Sequence, residues 1–242
     1  MKALLLAAGQ STRLKPLTNT CHKCLIEIYQ NTKIIDIELS ILQKCGIKDI
    51  VIVIGYFGDK IKKHVKENFP ELRVVFIENI DFSSTNCLYS LWLTREQLND
   101  DVIYMTADII MDVSVIKKFL DSQEKNLIYV NKEHELPEKD FKARIENGLV
   151  KSVGVDESGS DVFFCLPLIK MSKNAVSIWL EKTDELIQEG KINVYETEAL
   201  NKILEEIKLK PLYLSDSTME IDTHEDLSKA RNLFVKVDNE NQ

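Results

Sequence analysis

Lys2-Ala3-Leu4-Leu5-Leu6-Ala7-Ala8-Gly9-Gln10-Ser11-Thr12-Arg13-Leu14-Lys15-Pro16-Leu17-Thr18 joins the first apolar run of the chain to the polar loop that leaves it. Lys2 to Ala7 is apolar at nearly every position, which predicts a strand buried on both faces. The pattern recurs at Asp49 to Ile54, Val74 to Ile77, Val102 to Met105 and Leu127 to Val130. Helical spacing separates these runs, from Ile34 to Cys45 with Gly46 as a stop, Asp59 to Asn68, and Val113 to Ser122. Strands that alternate with helices predict a doubly wound α/β core with a mostly parallel sheet covered on both sides.

The second half changes character. Lys142 to Glu146, Asn147-Gly148 and Leu149 to Val155 read as a hairpin, because Asn-Gly suits a type I′ turn. Val162 to Pro167 is a further strand, and Lys173 to Glu189 and Glu196 to Lys208 are helical patterns. Short strands at Leu209 to Leu214 and Met219 to Ile221 precede a closing helix from His224 to Val235. A single domain, 1–242, is expected, with a lid-like hairpin and helical subregion over about 131–200 and a frayed polar tail at 236–242.

Composition narrows the function. The 242 residues carry 31 Lys and Arg against 39 Asp and Glu, a formal charge of −8. Nucleic-acid binding needs a cationic surplus, so it is not expected. No apolar run reaches the roughly 18 residues of a membrane span, so membrane insertion is not expected either. The six apolar residues from Ala3 to Ala8 are too few for a signal peptide's apolar region, and a cytoplasmic protein, monomeric or homodimeric, is expected. Five scattered cysteines do not predict a disulfide framework. Cys21-His22-Lys23-Cys24 lacks the second ligand pair of a structural zinc site.

In a parallel sheet, ligands bind beyond the carboxyl ends of the strands. The loop after Ala7 is small and exposes backbone N–H groups, and Arg13, Lys15 and Lys23 add cations. It lacks the Gly-Lys-Ser/Thr of a Walker loop and the three spaced glycines of a dinucleotide fingerprint. A polyphosphate site and a solvated basic loop fit this composition equally well.

The stretch resembles the signature of the nucleotidyltransferases that join an NTP to a sugar phosphate or alcohol phosphate, L-A-A-G-x-G-x-R-x-x-P-x-T followed by P-K. Here Ser11 stands at the usual second glycine and His22 at the usual proline. The resemblance continues in Thr106-Ala107-Asp108, which follows a strand as the family's metal carboxylate does. It continues again in Met219-Glu220-Ile221-Asp222-Thr223-His224-Glu225-Asp226-Leu227, which is similar to E-I-D-[ST]-x-x-D-[LY]. It therefore implies a Rossmann-like nucleotidyltransferase fold and Mg2+ held by Asp108 and Asp222. It also implies catalytic roles for Arg13, Lys23, Asp108 and Asp222, and nucleotide contacts from Leu6, Ala7, Ala8, Gly9, Gln10, Ser11, Thr12, Arg13, Lys23, Asn86 and Ala107.

Length, the Asn86-Cys87-Leu88-Tyr89-Ser90-Leu91 segment and the E-I-D ending look most like the small cytidylyltransferases. These use CTP with phosphocholine, 2-aminoethylphosphonate or related phosphates. Leu88, Leu91 and Trp92 fall at core spacing, which leaves Asn86 as the functional candidate there. Lys139 to Arg144 resembles the D-x-K-V strand of the aminoethylphosphonate enzymes, implying that Lys142 holds the acceptor's phosphate. Tyr195, Glu196, Glu198 and Glu220 are the further acceptor candidates, with a phospho-amino-acid type of acceptor also open. The alternatives are a sugar-1-phosphate nucleotidylyltransferase using UTP or dTTP and, below it, a non-catalytic nucleotide sensor.

Overall fold

The computed structural model describes residues 1–136, 138–215 and 218–240, with side chains of the closing helix described to residue 233. In chain order the strands are β1 (Lys2–Ala7), β2 (Glu27–Tyr29), β3 (Thr32–Lys33), β4 (Asp49–Ile54), β5 (Arg73–Glu78), β6 (Val102–Thr106), β7 (Ile109–Ile110), β8 (Leu127–Asn131), β9 (Lys142–Glu146), β10 (Leu149–Gly154), β11 (Val162–Met171), β12 (Lys210–Tyr213) and β13 (Met219–Glu220). The helices are α1 (Ile34–Lys44), α2 (Gly58–Asn68), α3 (Cys87–Leu93), α4 (Val113–Asp121), α5 (Lys173–Gln188), α6 (Thr197–Asn201), α7 (Leu204–Ile207) and α8 (His224–Glu240).

The main sheet runs β10-β9-β11-β6-β1-β4-β5, with β8 pairing β11 and β12. Strands β5, β4, β1 and β6 are parallel, and β11 joins β6 antiparallel. The expected doubly wound, mostly parallel α/β sheet is therefore present, with an antiparallel wing. Period-two alternation in β1 shows why both faces must be covered. Ala3, Leu5 and Ala7 enter one core with α1, α2 and α4, while Leu4, Leu6 and Ala8 enter the other with α3 and α5 to α7. Strand order reverses beside β1, which lies between β4 and β6, so the switch-point crevice opens at the carboxyl ends of β1 and β6.

Local chemistry sets the element ends. At the end of α1, Gly46 (φ 79°) donates to the Gln43 carbonyl at 3.0 Å and Ile47 to Leu42 at 2.9 Å, a Schellman motif that needs a left-handed residue. Asn147 and Gly148 both have positive φ (52° and 74°), as a type I′ turn requires.

Three readings needed correction, the first being the strand expected over Val162 to Pro167, which runs on to Met171 because its far half pairs with β6. The single helix expected over Glu196 to Lys208 is split into α6 and α7. Asn201 ends the first piece by gripping β10, its Oδ1 accepting from Val153 N at 2.8 Å and its Nδ2 donating to Val153 O at 2.9 Å. The closing helix runs on to Glu240 instead of stopping at Val235; the last two positions of the expected tail, 241 and 242, lie outside the described residues. Among the described residues no helix is long and apolar enough to cross a membrane.

Gly55, just after β4, shows how closely the layers meet at the crevice. A Cβ there would lie 2.8 Å from the Ala8 carbonyl oxygen and 2.9 Å from Phe82 Cβ, while Tyr56 N already donates to that carbonyl at 3.2 Å. Gly55→Ala is expected to lower stability by about 1–3 kcal/mol through overpacking and to weaken ligand binding on the first loop. Thermal melts and nucleotide titration check both effects.

Candidate active site

The loop after β1 is short of regular structure but tightly held. Ser11, at the position where glycine is usual, adopts a left-handed conformation (φ 51°, ψ 50°), which costs a non-glycine residue about 1–2 kcal/mol. Thr18 Oγ1 donates to the Ser11 carbonyl at 3.0 Å and steadies the turn. A single turn of 3₁₀ helix, Thr12–Leu14, then aims Arg13 across the crevice, and Leu14 buries itself as the anchor. A second such turn, Lys23–Leu25, presents Lys23 while Cys24 and Leu25 enter the core.

Three carboxylates face these cations. Ala107 N donates to the Leu6 carbonyl at 3.1 Å, so Asp108 is delivered beside the first loop. The two-residue ladder between β7 and β13 pairs Ile109 with Glu220 and Ile110 with Met219. It is extended by Ile221 N donating to Asp108 O at 2.9 Å. That ladder carries Glu220 and Asp222 to Asp108 from the far end of the sequence. Thr223 and Asp226 form a reciprocal capping box at the start of α8, with Thr223 N donating to Asp226 Oδ2 at 2.8 Å and Asp226 N to Thr223 Oγ1 at 3.2 Å. Asp222 N also donates to Asp226 Oδ2, at 3.2 Å. The second aspartate of the E-I-D element is thereby a backbone anchor for the first.

Lys23 Nζ bridges Asp108 Oδ2 and Asp222 Oδ1, the latter at 2.9 Å, and Arg13 Nη2 donates to Asp222 Oδ2 at 2.6 Å. Burial works against the charge on Lys23, but Asp108, Asp222 and Glu220 outweigh it and hold the ammonium above its ordinary range. Burial also opposes ionisation of Asp222, yet Lys23 and Arg13 keep its carboxyl below the usual value. Glu220 is pushed well up by burial and by the two aspartates. One oxygen from each of Asp108, Glu220 and Asp222 lies within 4.8 Å of the others. Asp108 Oδ1 is buried without a hydrogen-bond partner. Hard oxygen donors around an unsatisfied carboxylate atom fit a divalent cation of the magnesium type.

The crevice is a cavity of about 400 Å³ lined by Leu6, Ala8, Gly9, Ser11, Thr12, Arg13, Lys23, Asn86, Asp108, Tyr195 and Asp222 among the expected residues. Ala7, Gln10 and Ala107 are not part of its lining. Asn86 combines the functional and structural readings, since it lines the cavity while its Oδ1 caps α3 by accepting from Cys87 N at 2.8 Å. His22, Asn79, Phe82, Thr85, Cys87, Ser90 and Thr106 line it too and were not among the expected site residues. Asn79 bears no motif; it is found only through its hydrogen bonds to Thr85 Oγ1 and Ser90 Oγ, at 3.0 and 3.1 Å.

A second cavity, about 870 Å³, adjoins the first and shares Thr12, Arg13 and Tyr195 with it. Lys142 lies in its wall, the Nζ donating to the carbonyls of Glu138 and Val155. The other acceptor candidates divide. Tyr195 stands at the junction of both cavities. Glu220 sits in the carboxylate cluster rather than in an acceptor wall. Glu198 is exposed and lines neither cavity. Glu196 is only 1% exposed, with Tyr104 and Cys87 beside its carboxyl. Trp179 Nε1 donates to its carbonyl at 3.3 Å.

Fold and site together define a class: an α/β protein whose first-strand loop and paired strand-end carboxylates converge on one crevice. The nucleotidyl transferase family model matches residues 2–141, more than half of the chain, and the chain belongs to that family. A CTP:phosphoglutamine cytidylyltransferase of Campylobacter jejuni is 33% identical over 138 residues, 54% of this chain and 53% of that protein. A choline-phosphate cytidylyltransferase of Streptococcus pneumoniae is 36% identical over 103 residues, 43% of either chain. The matched stretches thus span about half or less of these curated relatives. The solved structure of CTP:phosphocholine cytidylyltransferase from Streptococcus pneumoniae shares the fold with a TM-score of 0.76, at 23% identity over 96% of this chain and 98% of that one.

Burial pushes the Glu196 carboxyl above the ordinary glutamate value, so the folded chain holds that proton more tightly than the unfolded one. Its stabilising contribution is full below the ordinary pKa of about 4.3. It declines as pH rises toward the folded value. Glu196→Gln keeps the shape and removes the titration. The variant should melt with wild type in acid and gain on it as pH rises above the ordinary glutamate value, until the folded carboxyl has ionised. A difference that is constant across that range would count against a buried, titrating carboxyl.

Proposed function

We propose that the chain transfers a cytidylyl group from CTP to a small phosphorylated or phosphonate acceptor and releases pyrophosphate. The observation that supports this most directly is the junction of two cavities at Thr12, Arg13 and Tyr195, with Lys23, Asp108 and Asp222 beside it. The nucleotide would occupy the smaller cavity, with base and ribose against the backbone of Ala8 and Gly9. The acceptor would enter from the larger one, its phosphate or phosphonate held by Lys142. Relatives named for phosphoglutamine and for choline phosphate support an acceptor of the phospho-amino-acid or phosphocholine type.

The acceptor oxygen is already an anion and needs no general base. It attacks the α-phosphorus, a new P–O bond forms, and the bond to the β-phosphate breaks as pyrophosphate leaves. The barrier lies in bringing anions together, which positioning and fixed charge can lower. Arg13 and Lys23 would exchange their carboxylate partners for the β- and γ-phosphates and for the departing pyrophosphate. Asp108 and Asp222, with Glu220 beside them, would hold a magnesium ion, whose charge offsets that of the phosphates.

Pyrophosphate release measured for the four NTPs against phosphorylated amines, amino acids and sugars should peak with CTP and a small amine or amino-acid phosphate. It should fall to background when chelator removes divalent metal. Turnover of a sugar 1-phosphate with UTP or dTTP would overturn the cytidylyl reading, and no turnover with any pair would overturn the enzymatic one.

Lys142→Met retains the apolar stem and removes the charge. A charge-assisted hydrogen bond to phosphate is typically worth about 1.5–3 kcal/mol. The variant should lose roughly tenfold to a hundredfold in kcat/KM for the acceptor while the Kd for magnesium–CTP stays unchanged. Equal acceptor kinetics in variant and wild type would remove Lys142 from the acceptor site.

A further inference from the structure

Several buried polar atoms of the described residues lack a hydrogen-bond partner, and four of them belong to residues that line the nucleotide cavity: Ser11 Oγ, His22 Nε2, Thr106 Oγ1 and Asp108 Oδ1. His22 and Thr106 are the two among them to which the family pattern gives no role, and His22 is the one that immediately precedes Lys23. Its ring is 2% exposed, and its Nδ1 accepts from Cys24 N at 3.2 Å, capping the turn that presents Lys23. A neutral imidazole whose Nδ1 accepts carries its proton on Nε2. Burial, and then the charge of Lys23, press its pKa down to about 3, so the ring stays neutral at physiological pH. The Gly9 backbone opposes that fall as a hydrogen-bonding neighbour of the ring, while Nε2 has no partner at ordinary hydrogen-bond distance and angle. A buried donor left unpaired is destabilising unless something completes it.

We propose that His22 is a ligand-binding residue of the cleft, giving its Nε2–H to an acceptor oxygen of the bound nucleotide. This rests on the reading of the cavity as a nucleoside triphosphate site. The two ring nitrogens then have separate tasks. Nδ1 shapes the turn beneath Lys23, and Nε2 adds a donor next to that ammonium without adding a second charge. A proline at this position could supply a stiff turn but no side-chain donor.

The division of tasks makes the test a crossover. Asparagine places an amide near the Nδ1 position, where its oxygen can cap the turn, and stops short of Nε2. Glutamine reaches the Nε2 position and loses the cap. Kd values for the magnesium complexes of the four NTPs, measured by calorimetry, identify the nucleotide that wild type prefers. For that nucleotide, His22→Asn should weaken binding about tenfold while melting with wild type. His22→Gln should melt lower yet bind within a few fold of wild type. If His22→Asn binds as wild type does, or if both variants lose affinity only in proportion to lost stability, the ring is a turn cap alone and the proposal fails. Wild type binding a nucleotide other than CTP would overturn the cytidylyl reading and leave this comparison intact on that nucleotide. Wild type binding none of the four would overturn both.

Discussion

The ammonium of Lys23, lodged between Asp108 and Asp222, is the interaction on which the geometry of the cleft depends. Without a cation there, the aspartates and Glu220 would be a knot of like charge with oxygens within 4.8 Å of one another. With it, the loop after β1, the end of β6 and the strand before α8 are drawn to one point. Removing one partner of such a buried pair is usually far more costly than the pair is stabilising, about 3–5 kcal/mol, because it strands the other charge. Arg13 and Lys23 are already neutralised by carboxylates, so in the proposed function ligand binding would be an exchange of partners in which incoming phosphates compete for them.

The surroundings of that centre consist of backbone supports more than of reactive groups. Glu38, fully buried on α1, accepts from Ile109 N at 2.9 Å and so holds the residue that follows Asp108. Burial, and next to it the charge of Asp108, push the Glu38 carboxyl well up, which suits a neutral strut better than a second anion. The capping box of Thr223 and Asp226 does for Asp222 what Glu38 does for Asp108. Gly55 keeps Phe82 and the Ala8 carbonyl close enough to form the crevice floor.

Much of this was legible in the sequence where a physical period or a special residue was present. Unbroken apolar runs gave β1, β4, β6 and β8, which are buried on both faces, and also β5, although that edge strand leaves Val75 exposed. Asn147-Gly148 gave its hairpin because both residues take the positive φ of a type I′ turn. The ladder of β7 with β13 could not be read, since two residues have no period. The split between α6 and α7 was hidden because it arises from the grip of Asn201 on a distant strand. Charge was the weakest guide. Glu196 and Glu198 look alike in sequence, yet one is buried and the other is exposed, and only tertiary packing distinguishes them.

The partners of Asp222 also bear on the order in which the molecule matures. Its ion pairs with Lys23 and Arg13 close loops of 199 and 209 residues. The pairing of β1 with β4 and β6, by contrast, spans far shorter separations. Closing a loop costs entropy that rises with its length, and non-local contacts form late. A chain emerging from the ribosome can thus build its parallel core while the cleft is still incomplete. Fraying of the β13–α8 segment in the finished protein would dismantle the centre formed by Lys23, Asp108 and Asp222 and leave that core standing. The centre is accordingly the last part to assemble and the first that a local opening takes apart.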